Sequence, residues 1–173
     1  MRAAAFRKAV TVDRSNLLER FFEILRAEDV PFCLIGGQAL NAYVEPVVSL
    51  DLDVVVAADR ISGIETLLRR SFAVERFPHS LNVSDPDSDV RIQIQLDPRY
   101  AAFISRAAPR SVLDLKVPVA AIDDILRGKV WAVQDATRRG SKRQKDLADI
   151  ARILETYPDL RSLVPDDVLA RLM

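Results

Sequence analysis

Residues 32–56, FCLIGGQALNAYVEPVVSLDLDVVV, decide how the rest of the chain is read. Phe32 to Ile35 is a short apolar run, the pattern of a buried strand. Gly36-Gly37 interrupts it, and Gln38 to Val44 has room for two helical turns before Pro46. From Leu50 to Ala57 the residues alternate. Leu50, Leu52, Val54 and Val56 fall on one face, and Asp51, Asp53 and Val55 on the other, as on a strand with one polar-tolerant side. The stretch predicts strand, glycine turn, helix, strand.

The chemistry follows from that order. Carboxylates at i and i+2 of a strand share a face, roughly 6–7 Å apart at the backbone. There they can coordinate one or two hard cations, which prefer oxygen ligands. Unpaired carboxylates between buried residues are costly. Two readings follow for Asp51 and Asp53: a divalent-metal site, or a strand-end pair in salt bridges with arginines. Gly36-Gly37 also has two readings. Lacking Cβ, the backbone can approach a phosphate while the amides of the helix start face the anion; the plain alternative is an ordinary tight turn.

Outward from this stretch the chain first alternates helices and strands. Residues 14–28 place Leu17, Leu18, Phe21, Ile24 and Leu25 on a helical stripe behind an Asp13 or Ser15 cap. Residues 60–71 repeat the pattern with Ile61, Ile64, Leu67 and Leu68. Strand-like segments follow at Phe72–Phe77 and Leu81–Ser84, then a turn at Asp85-Pro86-Asp87 and a strand over Val90–Leu96. That strand sets Arg91, Gln93 and Gln95 opposite its apolar face. Residues 99–107 read as a short helix, and Val117–Val119 as a strand or an extended link.

From Ala120 the pattern is helical, at 120–137, 142–156 and 166–172. Ser141 to Gln144 has capping-box spacing. On the first of these helices Ile122, Ile125, Leu126, Val133 and Ala136 form a stripe with Lys129 at its centre, and Trp131 lies opposite. On the next, Leu147, Ile150, Ala151, Leu154 and Tyr157 face inward with Arg143, and Asp146 lies at the edge. A charge inside an apolar stripe needs a partner. Lys129 either pairs with an aspartate across the two helices or, with Arg143, reaches a phosphate. The expected fold is α/β (α+β): a small mixed sheet flanked by helices over residues 1–119, then a C-terminal helical bundle over 120–173.

The totals narrow the function classes. The 173 residues hold 25 Lys and Arg against 25 Asp and Glu, so the net charge is zero. That balance argues against a protein that coats nucleic acid. The basic run Arg138, Arg139, Lys142, Arg143, Lys145 has no interleaved aromatics for base stacking and reads as a solvated helix start, or as a contact for RNA phosphates. One cysteine, Cys33, excludes an intramolecular disulfide and reads as a small buried hydrophobe. His79, the only histidine, falls in a loop. No apolar stretch approaches the ~20 residues of a membrane span, and the N-terminus is too charged for a secretory signal. A cytoplasmic protein is expected.

Gly36-Gly37, Ser49-Leu50-Asp51-Leu52-Asp53, Gly128-Lys129 and Lys145-Asp146-Leu147-Ala148-Asp149-Ile150 together resemble the nucleotidyltransferase superfamily, best known from DNA polymerase beta. Within it the similarity is to the bacterial abortive-infection toxin type and related uncharacterised proteins, over residues 32–155. The resemblance implies transfer of a nucleoside monophosphate from an NTP to an acceptor hydroxyl on RNA, a protein or a small molecule such as an aminoglycoside. It also implies an antitoxin-like partner. Asp51 and Asp53 would hold Mg²⁺ or Mn²⁺, with Gly36, Gly37, Ser49, Lys129 and Arg143 around the triphosphate. Such enzymes usually supply a third carboxylate from a later strand. Here that position is Gln93, which can position a substrate or water but cannot act as a base. Asp89 or Asp97 substitutes for it, two carboxylates suffice, or the chain has kept binding without catalysis.

Overall fold

Seven strands form one mixed sheet in the computed structural model, which describes residues 16–172. In chain order these are β1 (Phe32–Ile35), β2 (Asp51–Val56), β3 (Ala73–Phe77), β4 (Ser80–Ser84), β5 (Arg91–Gln95), β6 (Ala108–Val112) and β7 (Leu115–Val119). Their order across the sheet is β3-β4-β5-β2-β1-β7-β6. The pairs β2–β5 and β1–β7 are parallel, and the other four are antiparallel.

The decisive stretch folds largely as its pattern predicts. All four residues of β1 are buried, and Leu52, Val54 and Val56 of β2 are buried while Asp51 and Asp53 keep some exposure. The helix between them, α2 (Gly36–Leu40), starts on the glycines themselves rather than at Gln38, so the first helical amides belong to the glycine pair. Antiparallel pairing sets Ile35 opposite Asp53. Gly36, the next residue, therefore turns directly above the Asp53 side chain.

The remaining helices are α1 (Leu17–Ala27), α3 (Ile61–Ser71), α4 (Phe103–Arg106), α5 (Ile122–Gln134), α6 (Gly140–Thr156) and α7 (Asp166–Leu169). The Asp13 or Ser15 cap expected for α1 lies outside the described residues. Phe21 of α1, Leu34 of β1, Leu52 of β2, Ile92 of β5, Ile125 of α5, Ile150 of α6 and Val168 of α7 belong to one hydrophobic cluster. Sheet and C-terminal helices therefore share a core.

Three local expectations change. The segment after Tyr100 is a single-turn helix, α4, followed by a β6–β7 hairpin of which the sequence suggested only Val117–Val119. Its turn places Leu113 and Asp114 both at positive φ, 52° and 64°. Two-residue hairpins of that shape usually carry Asn-Gly, so Leu-Asp gives no warning. Pro109 of β6 and Pro118 of β7 face each other in the hairpin; Pro109 is tolerated because β6 is an edge strand. The capping box is also absent: α6 begins at Gly140, one residue before Ser141, with no side-chain cap bond. Instead Arg143 donates from Nη2 to the carbonyls of Asp135 and Arg138, tying the start of α6 to the link before it. Third, Trp131 is not set apart from Lys129 across α5. It is half-buried, stacked on Phe103 with ring centroids 5.6 Å apart, and both residues line one cleft.

Candidate active site

That cleft, of about 530 Å³, opens between the ends of β1, β2 and β5 and the helices α5 and α6. It has the size of a small-ligand site. Its floor is built by the strand ends. Ile35, Gly36, Gly37, Ser49, Asp51, Asp53, Gln93 and Gln95 all border it. Ser49 is held by hydrogen bonds that run through α2: Gln38 Nε2 donates to the Ser49 carbonyl at 2.7 Å, and Ser49 Oγ donates to the Asp51 carbonyl at 3.2 Å.

Gly36 shows why glycine is needed here. Its φ is +74°, and a Cβ at that position would overlap Asp53 Oδ2. Both facts exclude ordinary side chains. The carboxylate and the glycine turn occupy adjoining space by construction. Gly37 has more room, since a Cβ there would stand 3.9 Å from Ser49 Oγ.

The two aspartates differ. Asp51 is more exposed and accepts a hydrogen bond from Arg91 Nε at 3.1 Å, its neighbour in the parallel β2–β5 register. Asp53 has no hydrogen bond or ion pair to a described residue. Burial pushes its pKa above the usual carboxylate value; Lys129 pulls it down, Asp51 pushes it up, and Arg138 and Lys142 pull it down. A half-buried carboxylate with this balance is short of positive charge.

No group of three His, Cys, Asp or Glu able to hold a metal occurs among the described residues. The two-aspartate set still suits Mg²⁺, which is commonly bound through one or two carboxylates and completed by substrate phosphates and water. Gln93 stands beside Asp53 in the β2–β5 register, where a third acidic group would complete the set. Asp97 also borders the cleft, but it accepts from Arg99 at 2.9 Å and caps the short helical turn after β5. Asp89, at the other end of β5, does not border the cleft.

The opposite wall comes from α5 and α6. Lys129 Nζ lies 3.2 Å from Asp146 Oδ1 and 2.8 Å from Asp149 Oδ2, so the cross-helix ion pair is present and Lys129 also borders the cleft. Burial alone would lower the Lys129 pKa, but Asp149 and Asp146 outweigh it and hold it above the usual lysine value. Asp146 also accepts from Arg138 Nε at 2.8 Å, and Asp149 from Arg152 Nη1 at 2.9 Å. Arg143, expected near the phosphates, is not among the residues that border the cleft; its guanidinium serves the carbonyls of the α5–α6 link. Arg138, Lys142 and Lys145 border the cleft in its place. The basic run contained them, but helical phase alone did not tell which of its members turn inward.

A third wall is aromatic. Tyr100 and Trp131 meet edge-on with centroids 5.1 Å apart, and Arg99 covers Trp131 at 4.6 Å. Tyr100 fits because residue 128 is glycine: a Cβ there would stand 3.0 Å from its ring. Beside it Asp124, fully buried at the start of α5, is gripped by Arg106 through two hydrogen bonds of 2.7 and 3.0 Å. Nothing in the sequence pattern marked Asp124, because an acid in a first helical turn is common.

Comparison with known proteins agrees with this architecture. The solution structure of the antibiotic-resistance factor ANT(2'')-Ia aligns with a TM-score of 0.60 at 12% identity, over 86% of this chain and 89% of that one. Its complex with adenylyl-2''-tobramycin aligns at 0.59 and 14%, over 91% and 98%. The lincosamide antibiotic adenylyltransferase LnuA, bound to lincomycin, aligns at 0.53 and 12%, over 83% and 99%. At such identities the likeness is one of fold. No curated protein matches by sequence. No helix among the described residues is long and apolar enough to cross a membrane. The family model described as nucleotidyl transferase AbiEii toxin, type IV toxin–antitoxin system, matches residues 17–173, spanning the glycine turn, both aspartates and both helices that close the cleft; the chain belongs to this nucleotidyltransferase family.

Proposed function

We propose that the chain is a divalent-metal-dependent nucleotidyltransferase that moves a nucleoside monophosphate from an NTP to an acceptor hydroxyl. The observation that carries this reading is Asp53: a carboxylate without a hydrogen-bond or ion-pair partner among the described residues, packed against the glycine turn and one residue from Asp51 in the same cleft. Asp51 and Asp53 are the residues that would hold Mg²⁺ or Mn²⁺. Bound there, the ion would supply charge neutralisation at the transferring phosphate and lower the pKa of the attacking hydroxyl.

The chain's own part is positioning. Gly36 and Gly37 let the backbone approach the triphosphate, Ser49 adds a hydroxyl beside them, and Lys129 contributes positive potential from the opposite wall. The acceptor oxygen bonds to the α-phosphorus as the bond to the β-phosphate oxygen breaks. Pyrophosphate leaves with that electron pair, and the hydroxyl proton passes to solvent, since Gln93 cannot take it. RNA, a protein and a small molecule are the acceptor classes to test, and an antitoxin is the partner that the family suggests.

Gln93 favours a second reading, a member that retains nucleotide or partner binding without turnover. Calorimetry with ATP and Mg²⁺ on the wild type and Asp53→Ala, followed by α-labelled NTPs with total RNA and total protein, separates the two. Metal-dependent binding lost in Asp53→Ala together with labelled acceptor supports the enzyme. Binding without any transfer supports the second reading, and no binding at all removes both.

A further inference from the structure

Flat side chains run from the core to the cleft. Phe103, fully buried, stacks with Trp131 at an interplanar angle of 15°, and Tyr100 meets both rings edge-on, with centroids 5.3 and 5.1 Å away. The Arg99 guanidinium lies over the Trp131 ring, 4.6 Å from its centroid, and Arg99 borders the cleft with 54% of its side chain exposed.

Arg99 is fixed twice. Its Nε and Nη2 donate to Asp97 Oδ2 at 3.1 and 2.9 Å, and Trp131 backs it. Asp97 is itself anchored: its Oδ1 accepts from the Arg99 amide at 2.9 Å, and its own amide donates to Gln95 Oε1 at 3.0 Å. Nη1 is left without a described hydrogen-bond or ion-pair partner, and no second ring among the described residues covers the guanidinium. An arginine at a surface ordinarily keeps many rotamers, whereas this one is ordered before any ligand arrives. A planar, weakly hydrated cation held still beside a cleft is a surface on which a flat ring stacks at little entropic cost.

Position gives that ring its identity. Gln93 stands beside Asp53 in the sheet register, and Asp97 follows four residues later, about 13 Å along an extended chain. A nucleoside reaches over a similar span from its 5′-phosphate to its base. Burial pushes the Tyr100 phenol up to about 12, and Asp53 is one of the charges that reach it, so the two ends share one electrostatic field.

We infer that the Arg99 guanidinium, backed by Trp131 and held by Asp97, is the stacking shelf for the base of the NTP. This inference rests on the active-site reading above and adds to it which wall of the cleft takes the nucleoside. Arg99 touches the base, while Asp97 and Trp131 act through it as positioning residues. Every base has a π-face, so the shelf adds affinity for any NTP over a bare triphosphate.

Trp131 is the only tryptophan of the chain, so its emission reports on the shelf directly. Fluorescence and calorimetry at constant Mg²⁺ compare ATP, GTP, CTP and UTP with inorganic tripolyphosphate. Arg99→Lys keeps the charge and loses the flat fork. The control is Arg110→Lys, an exposed arginine 3.9 Å over Tyr43 that does not border the cleft. Thermal melting verifies that both variants are folded. A bound NTP should change Trp131 emission in the wild type. Arg99→Lys should weaken NTP binding about tenfold, with tripolyphosphate changed by less than about twofold and the control unaltered. Unaltered NTP affinity in Arg99→Lys, with Asp53→Ala still abolishing metal-dependent binding, overturns the shelf and leaves the active-site reading standing. Equal weakening of NTP and tripolyphosphate, or a bound NTP that leaves Trp131 emission unmoved, also overturns it. Absence of NTP binding to the wild type overturns both.

Discussion

Asp53 on β2 and Asp146 on α6 border one cleft from opposite walls, and the surroundings of Asp53 and of the Asp146/Asp149 pair treat them in opposite ways. The α6 pair is matched in charge: Lys129 lies between its members, Arg138 holds one and Arg152 the other, although Asp149 Oδ2 makes an ion pair without a hydrogen bond. Asp53 has no such partner among the described residues, and burial raises its pKa. Buried ion pairs of the first kind hold two helices in register. A half-buried carboxylate of the second kind weakens the empty protein and is understandable as half of a contact that a cation completes. The difference separates acids that serve the fold from an acid kept for a ligand, even though Asp53 and Asp146 border the same cleft.

Mutation breaks the comparison most directly. Asp53→Asn should lower nucleotide transfer by at least about 100-fold, measured with labelled NTP, while leaving thermal stability equal or higher. Asp149→Ala should do the reverse in stability. It strips one counter-charge from buried Lys129 and should cost about 3 kcal/mol, read from the urea midpoint at unchanged m-value.

Gly36→Ala tests the packing that couples turn and acid. A Cβ colliding with Asp53, at a φ of +74°, should cost about 1–3 kcal/mol and displace the carboxylate. Gly37→Ala, with only a 3.9 Å contact to Ser49, should cost less than about 1 kcal/mol. Equal losses in the two variants would remove the claim that Gly36 is shaped by Asp53.

The pH dependence of stability sharpens the contrast, because the two shifts act in different windows. Asp53 has a raised folded-state pKa, so its protonated form favours folding. Its contribution is full below the unfolded carboxylate pKa and is lost as pH rises through the folded value. Asp53→Asn should therefore gain stability over wild type above that folded value, and the gain should vanish in acid. Divalent-cation affinity of the wild type should rise with pH across the same window. Lys129 is also raised, so its ion pairs persist through neutral pH and are lost only as alkaline pH passes its folded pKa. Chemical denaturation across pH checks both.

The smallest effect belongs to Arg91→Ala. Its pair with Asp51 joins two side chains of 66% and 38% exposure. Removal should change stability by less than about 0.5 kcal/mol. A large loss of stability would place Asp51 with the structural acids of α6 instead of with Asp53.

Much of this is legible in the sequence. Alternation around Asp51 and Asp53, the run ending at Gly36, and the apolar stripes of α1, α3, α5 and α6 are periodic signals, and periodicity reports which face is buried. The β6–β7 hairpin was harder to see, because Leu113-Asp114 lacks the usual residues of its turn and two prolines interrupt its strands. The place of Arg143 off the cleft was hidden for a related reason. Helical phase placed it on the inward face, but the link before α6 folds back and takes its guanidinium with two carbonyls.

The amino-acid sequence by itself determined the strand–glycine–helix–strand unit, the shared face of Asp51 and Asp53, and the need of Lys129 for an anionic partner, whether aspartate or phosphate, because each depends on local geometry repeated every two or 3.6 residues. Tertiary structure alone decided that Ile35 pairs with Asp53, so that Gly36 turns over the carboxylate, and that Gln93 occupies the neighbouring place on β5. It alone turned Arg138, Lys142 and Lys145 toward the cleft and Arg143 away from it. Register between strands and the path of a link are set by contacts between distant parts of the chain, and no window of neighbouring residues contains them.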